Sequence, residues 1–335
     1  MSRNGIVAQG HNPSLVGVSV ARETDRMTTA SSPRRVGYVG LGNLGFHLAH
    51  SLLKTGHHVT VTDLNRSIAE PLLAKGAAWA DSAKEVAAAS DVVFTCLPSP
   101  RAIEAVVCGP NGILEGAAPG TIWIDNSTND QEETLRLSAI CAERGVTMLE
   151  SPVTGGVHKA AAGDITVLVG GDEETFAKVE DLLGVIGSPV LYMGPLGSAA
   201  VIKVITNMLA FINLVSVGEA LMLAKRGGLD LTKSFYAILN SSGNSFVHET
   251  EGQVILNGSY NINFTMDLAV KDLGFAMEFG RRFGVPLDLA GQTMQTFIRA
   301  RSQYGGDAWS SQVVKLLEDA LDTDLRAPGF PEELE

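Results

Sequence analysis

The sequence predicts an α/β fold: a doubly wound sheet over the first half of the chain and an all-α second half. Three observations predict it. From residue 35 to about residue 193, short β-branched runs alternate with helical stretches. Gly194-Pro195-Leu196-Gly197 then interrupts the alternation. Beyond it, no proline occurs between Ser198 and Val285, and the chain reads in long helical periods. Strands alternating with helices mark a parallel sheet covered on both faces, and a proline-free stretch permits long helices.

In order, the expected strands are residues 36–39, 58–62, 91–96, 121–125, 147–150 and 165–169, with helical stretches at 46–55, 67–75 and 129–144. In the second half the expected helices are 199–226, 231–239 and 264–283, the first of them the spine. These divide the chain into an N-terminal extension (1–34), a nucleotide-binding sheet domain (35–196), a helical substrate and dimerisation domain (197–320) and a C-terminal tail (321–335). The extension has no apolar signal core, and Glu23 and Asp25 are unlike a transit peptide. Met27 is read as an alternative start.

A chain of 335 residues with 45% hydrophobic and 19% charged residues has the composition of a globular protein. Its formal net charge of -12, with no basic run, argues against nucleic-acid and anionic-membrane partners. Any anion it handles must meet positive potential locally, at helix N-termini or single lysines. Its three cysteines are odd in number and lack metal-ligand spacing, which favours a reducing cytoplasm and no metal. The apolar stretch 199–224 carries Lys203, Asn207, Asn213 and Glu219, so it reads as a buried helix and not as a membrane span.

The strand at 36–39 runs into Gly40-Leu41-Gly42-Asn43-Leu44-Gly45 and then a helix. Glycines at this spacing make a tight turn, let backbone approach a pyrophosphate, and let helix pack on strand, with the phosphates at the helix N-terminus. A lone glycine pattern is weak. Here it is joined by Asp63 at the end of the next strand, close to the usual separation of about 20 residues, and the first half reads as a Rossmann-type domain. Asp63 suits the ribose 2′-OH of NAD, whereas Arg66 leaves NADP open.

Lys203 and Asn207 lie at i, i+4 in the most apolar helix and project from one face. Burial lowers a lysine's pKa toward the range useful for proton transfer. The bland alternatives are a lysine snorkelling to the surface or one neutralised by Glu219.

With these motifs in place, the sequence resembles the β-hydroxyacid dehydrogenase family, which includes 3-hydroxyisobutyrate dehydrogenase and tartronate semialdehyde reductase. Residues 40–45 are similar to its cofactor loop, and Ser151-Pro152-Val153-Thr154-Gly155-Gly156 to its substrate loop. Residues 194–207, ending in Lys203 and Asn207, are similar to its catalytic helix, and Lys271-Asp272-Leu273 to its late cofactor-contacting segment. The resemblance implies NAD(P)-dependent oxidoreduction of a small β-hydroxy acid, with Lys203 as general acid and base and Asn207 orienting the reacting oxygen. It further implies that Thr154, Gly155 and Gly156 hold the substrate carboxylate. Leu97, Pro98, Ser127 and Thr128 would line the nicotinamide half of the cofactor, and Lys271 would contact or close over it. A homodimer or homotetramer is expected. The sister class of imine reductases, and a non-catalytic scaffold on the same fold, would both lack the lysine.

Two departures bear on the substrate. Thr154 stands where the family usually has serine, and Val157-His158-Lys159 stands where small residues are usual. His158 is read as structural. Lys159 adds a cation beside the carboxylate loop, which points to a substrate with a second anionic or strongly polar group.

Overall fold

A computed structural model describes residues 33–334. The expected extension, apart from its last two residues, and the alternative start at Met27 lie outside the described residues.

Nine strands form one sheet: β1 (Arg35–Val39), β2 (His58–Thr62), β3 (Ala78–Trp79), β4 (Val92–Thr95), β5 (Ile122–Asp125), β6 (Thr147–Glu150), β7 (Val153–Thr154), β8 (Thr166–Gly170) and β9 (Val190–Gly194). Their order is β3-β2-β1-β4-β5-β6-β8-β7, with β9 on β8. All six expected strands are present to within one residue at each end. The short β3 and β7, and β9, were not expected. Nor is the sheet wholly parallel: β8 runs antiparallel to both β6 and β7. The helix between them, Val157–Ala162, has six residues, so it spans only about 9 Å. It is too short to carry the chain back for a parallel return.

β4 shows why the sheet is buried on both faces. Val92, Val93, Phe94 and Thr95 are all buried. Alternate residues point to opposite sides, so Val92 and Phe94 join Val36, Leu48, Leu52 and Leu182 in one core. Val93 joins Val86, Ile103, Trp123 and Leu137 in the other. Ser82, Ser99, Asp130 and Asp172 cap the helices that cover these faces, each accepting from a first-turn N–H. The helix expected at 67–75 is shorter: a 3-10 turn, Arg66–Ala69, leads into Glu70–Leu73.

The second half is helical. Ser198–Arg226 is its spine, and Leu231–Leu239, Met266–Phe283 and Asp288–Tyr304 pack on it. The spine is long and apolar enough to cross a membrane by length and composition. It instead lies against β8, β9 and the other helices. Phe211, Leu214, Leu221, Phe235, Leu273 and Phe297 form the core around it. Residues 321–334 are no loose tail. Leu325 is fully buried, Arg326 donates to Glu318 Oε1 at 3.1 Å, and the Phe330 ring meets Phe235 at 4.9 Å. The sequence pattern there has no helical or strand period, yet single apolar residues still find the helical core.

Candidate active site

At the end of β1 the backbone turns through Gly40, whose φ is +93°. A Cβ there would lie 2.4 Å from the Cys96 carbonyl oxygen, and one on Gly45 would lie 2.1 Å from the Gly40 carbonyl oxygen. Only glycine permits this turn, and only glycine lets the Gly45–Lys54 helix start so close to it. Gly42 faces open space, with nothing within 4 Å of its Cβ position. That helix has no side-chain cap, and its Phe46 and His47 N–H groups turn back to the Gly42 and Leu44 carbonyls, so an anion here would be met by the N–H groups of the loop that precedes the helix. Leu41, which is buried, exposed Asn43 and half-buried Leu44 complete the loop, and Asn43 Nδ2 reaches the Asn263 carbonyl at 3.4 Å in the helical half. A dinucleotide diphosphate fits this cradle.

Asp63 is tied into the loop. Its Oδ2 accepts from Leu41 N at 2.7 Å and its Oδ1 from Asn65 N at 2.9 Å. Arg66 lies over the Trp79 ring, 5.2 Å from its centroid.

Leu97 and Ser127 come together beyond the C-terminal ends of β4 and β5. Ser127 Oγ accepts from Leu97 N at 2.9 Å and donates to Asp125 Oδ1 at 2.6 Å. Burial pushes Asp125 up to about 6, against hydrogen bonds from Ser127 and Thr95 that lower it. Pro98 follows at the surface, at the edge where open α/β sheets bind ligands.

A second hydrogen-bonded chain crosses from the helical half. Lys203 is 7% exposed and donates to Asn207 Oδ1 at 2.8 Å. Asn207 Nδ2 donates to Asp272 Oδ2 at 2.6 Å. Lys271 Nζ pairs with Asp272 Oδ1 at 3.0 Å and donates to the Thr128 carbonyl at 3.2 Å. A lysine only donates and a carboxylate accepts, so the network itself settles which way the Asn207 amide points. Burial lowers Lys203 to about 8; Asp272 opposes that shift and Lys271 reinforces it. One ammonium proton is committed to Asn207, and no other acceptor is paired with it among the described residues. Glu219, the alternative partner, is exposed elsewhere on the helix.

Thr154 ends β7, which lies against the spine helix. Gly155 and Gly156 follow with φ of +132° and +92°. Lys159 Cδ lies 3.2 Å from where a Gly155 Cβ would stand, and its Nζ sits 5.4 Å from the Phe246 ring centroid. The His158 ring also stacks on Phe246, with centroids 6.4 Å apart. Phe246 belongs to the helical half, so Lys159 and His158 both reach across the seam. Lys159 has no ion-pair partner among the described residues.

Sequence reasoning gave two of these residues no place in the site, and it took Asp272 only as part of the Lys271 motif and a possible surface partner of that lysine. Asp272 is the carboxylate between the two lysines; its only sequence signal is that it follows Lys271. Asp125 and Phe246 have no local signal, because their partners are distant in sequence.

Comparison with known proteins decides the family. Residues 35–194 match the family model described as the NAD binding domain of 6-phosphogluconate dehydrogenase. Residues 197–317 match the one described as the NAD-binding of NADP-dependent 3-hydroxyisobutyrate dehydrogenase. The chain is 35% identical to 2-(hydroxymethyl)glutarate dehydrogenase of Eubacterium barkeri, covering 85% of this chain and 95% of that one. The chain belongs to the β-hydroxyacid dehydrogenase family. Rat mitochondrial 3-hydroxyisobutyrate dehydrogenase is 34% identical over 83% of this chain and 85% of its own. The crystal structure of 3-hydroxyisobutyrate dehydrogenase from Salmonella typhimurium superposes with a TM-score of 0.79 at 30% identity, covering 84% of this chain and 99% of that one. An imine reductase from a Pseudomonas species shares the fold, at 17% identity and a TM-score of 0.58. As a β-hydroxyacid dehydrogenase, the protein is an oxidoreductase that uses NAD or NADP.

Proposed function

We propose that residues 35–196 bind the dinucleotide, that residues 197–320 complete the substrate site, and that Lys203 moves the proton as a small β-hydroxy acid and its carbonyl form interconvert. The bound nicotinamide supplies or takes the hydride. In oxidation, neutral Lys203 takes the hydroxyl proton as the C–H hydride leaves and the C=O forms; in reduction, its ammonium returns that proton to the carbonyl oxygen. Asn207 spends its carbonyl on Lys203 and one N–H on Asp272, so its first task is to aim the lysine. Its second N–H is left for the reacting oxygen. Thr154, Gly155 and Gly156 hold the substrate carboxylate through the threonine hydroxyl and backbone N–H groups.

The single observation that carries this reading is the buried Lys203, lowered to about 8 and bonded through Asn207 to Asp272. A scaffold has no use for such a group, and the imine reductase likeness extends to the fold alone. Lys203→Ala lowers kcat/KM by about 10²–10⁴-fold, the usual contribution of a general acid–base group, with NADH affinity unchanged. A loss under tenfold overturns the assignment. Because the amine must be neutral to accept a proton, oxidation rises as pH passes about 8, whereas reduction falls. Asp272→Asn removes the charge that holds Lys203 up and moves both midpoints to lower pH; unmoved midpoints would count against Lys203 as the titrating group.

We infer a preference for NAD over NADP. The Asp63 carboxylate keeps acceptor capacity for a ribose hydroxyl and repels a 2′-phosphate, and Arg66 is held over Trp79. Steady-state kcat/KM is therefore higher with NAD, and a ratio in favour of NADP rejects the electrostatic argument.

Lys159 supports a substrate with a second anionic or strongly polar group, such as a second carboxylate. Its stem lies along the carboxylate loop and its ammonium has no carboxylate partner among the described residues. The Eubacterium relative is named for a dicarboxylate. Lys159→Ala raises KM for a β-hydroxy dicarboxylate with little change for 3-hydroxyisobutyrate, because only uniform binding is lost. An equal response from both substrates, or none from either, removes the second-anion idea.

The protein is further proposed to be a cytoplasmic homodimer or homotetramer. Its cysteines are unpaired, and the spine helix exposes Ile205, Leu209 and Leu223 along one side. Sedimentation velocity on the purified protein shows a dimer or larger, and cell fractionation finds the activity in the soluble fraction. A monomer, or a compartmentalised activity, contradicts the respective half of this proposal.

A further inference from the structure

The spine helix carries Lys203 in its second turn but has no cap of its own. Its N-cap is Gly197, which offers no side chain, and its first turn contains no acidic residue. Its leading N–H groups lie in a buried place, where unpaired donors are costly. They are met by a residue almost fifty positions earlier. Glu150, the last residue of β6, is 3% exposed. Its Oε1 accepts from Ala199 N at 2.8 Å and its Oε2 from Ala200 N at 3.0 Å.

The neighbourhood is built to leave that carboxylate room. Glu150 pairs in register with Gly170 of β8, where a Cβ would lie 2.1 Å from Oε1. On its other side it pairs with Asp125 of β5, whose carboxylate organises Ser127 and, through it, Leu97. Ala199 and Lys203 are four residues apart and share a helix face. The amide that Glu150 grips thus lies one turn before the Lys203 backbone, and the strand that carries Glu150 adjoins the strand end where the nicotinamide half is proposed to lie.

We propose that Glu150 is a positioning residue for Lys203: a carboxylate on the sheet that fixes where the helix begins, and so how far the lysine stands from the reacting atoms. This rests on the reading of Lys203 as the proton-transfer group. Glu150 is enclosed, and both of its oxygens are taken up by the helix backbone. It acts through three to four backbone steps of helix, and a carboxylate suits the task because both oxygens accept; burial pushes Glu150 up to about 7, against the helix N–H groups that favour its charged form.

Glu150→Gln tests it with the full chain. The amide keeps the shape but presents an N–H where the helix also presents one, so the first turn shifts. A misplacement of about 1 Å can cost on the order of 10²-fold in rate. The expected result is a ten- to hundredfold loss of kcat, with NADH affinity by fluorescence titration within about twofold. The primary isotope effect from 4-deuterated NADH increases as the chemical step becomes limiting, a readout that a purely structural role does not move. Gly170→Ala, which crowds Oε1 from β8 and leaves the charge in place, gives the same split. Folded Glu150→Gln with unchanged kcat and isotope effect overturns the proposal, as does loss of folding in both variants, which would make Glu150 a folding residue. Lys203→Ala in the same assay separates the two readings. If it stays active, the lysine assignment fails; if it is dead while both Glu150→Gln and Gly170→Ala are unimpaired, only the positioning role fails.

Discussion

A cation inside an apolar helix is the constraint around which the helical half is organised. Lys203 is stable there only because Asn207 stands one turn on and Asp272 approaches from the Met266–Phe283 helix. Removing one partner of a buried charge pair typically costs about 3–5 kcal/mol, so the two helices must stay in register. Val204, Ala276 and Phe279 pack between them to that end. The arrangement also sets the local field. Lys271 pairs with Asp272 directly and Lys203 reaches it through Asn207, so two lysines gather at one carboxylate on a chain of net charge -12.

The sheet half serves the same site from the opposite side. Its strand ends present Asp125 and Ser127 toward the edge where the nicotinamide half is proposed to lie, and Glu150 toward the spine helix. Lys271 closes the loop by reaching the Thr128 carbonyl. The two halves therefore meet at the site through directional polar contacts, which specify distance and angle more closely than apolar packing does.

What was legible in the sequence was whatever repeats locally. β-Branched runs between glycines placed six strands, and Leu231–Leu239 falls where its apolar period places it. Gly40, Gly42 and Gly45 were readable because backbone geometry dictates their identity. Lys203 and Asn207 stood out as polar residues in an apolar helix. What was hidden depends on contacts far apart in the chain. β7 is two residues long and exists only because β8 folds back on it. Glu150 looks like an ordinary strand end until the spine helix arrives nearly fifty residues later. Asp272 reads as a neighbour of Lys271 until Asn207 is placed beside it. Residues 321–334 have no period at all, and only tertiary contact shows that Leu325 belongs to the core.

That last segment has a consequence for how the protein is made. The sheet is assembled from residues 35–194, so it can form while the rest is still being translated. The helical core cannot close so early, because Leu325 and Phe330 fill it and Arg326 neutralises the buried Glu318. On the ribosome, the nascent chain thus carries a finished nucleotide-binding half tethered to an open bundle. Its apolar spine helix lacks part of its cover until the segment around Leu325 and Phe330 reaches the core.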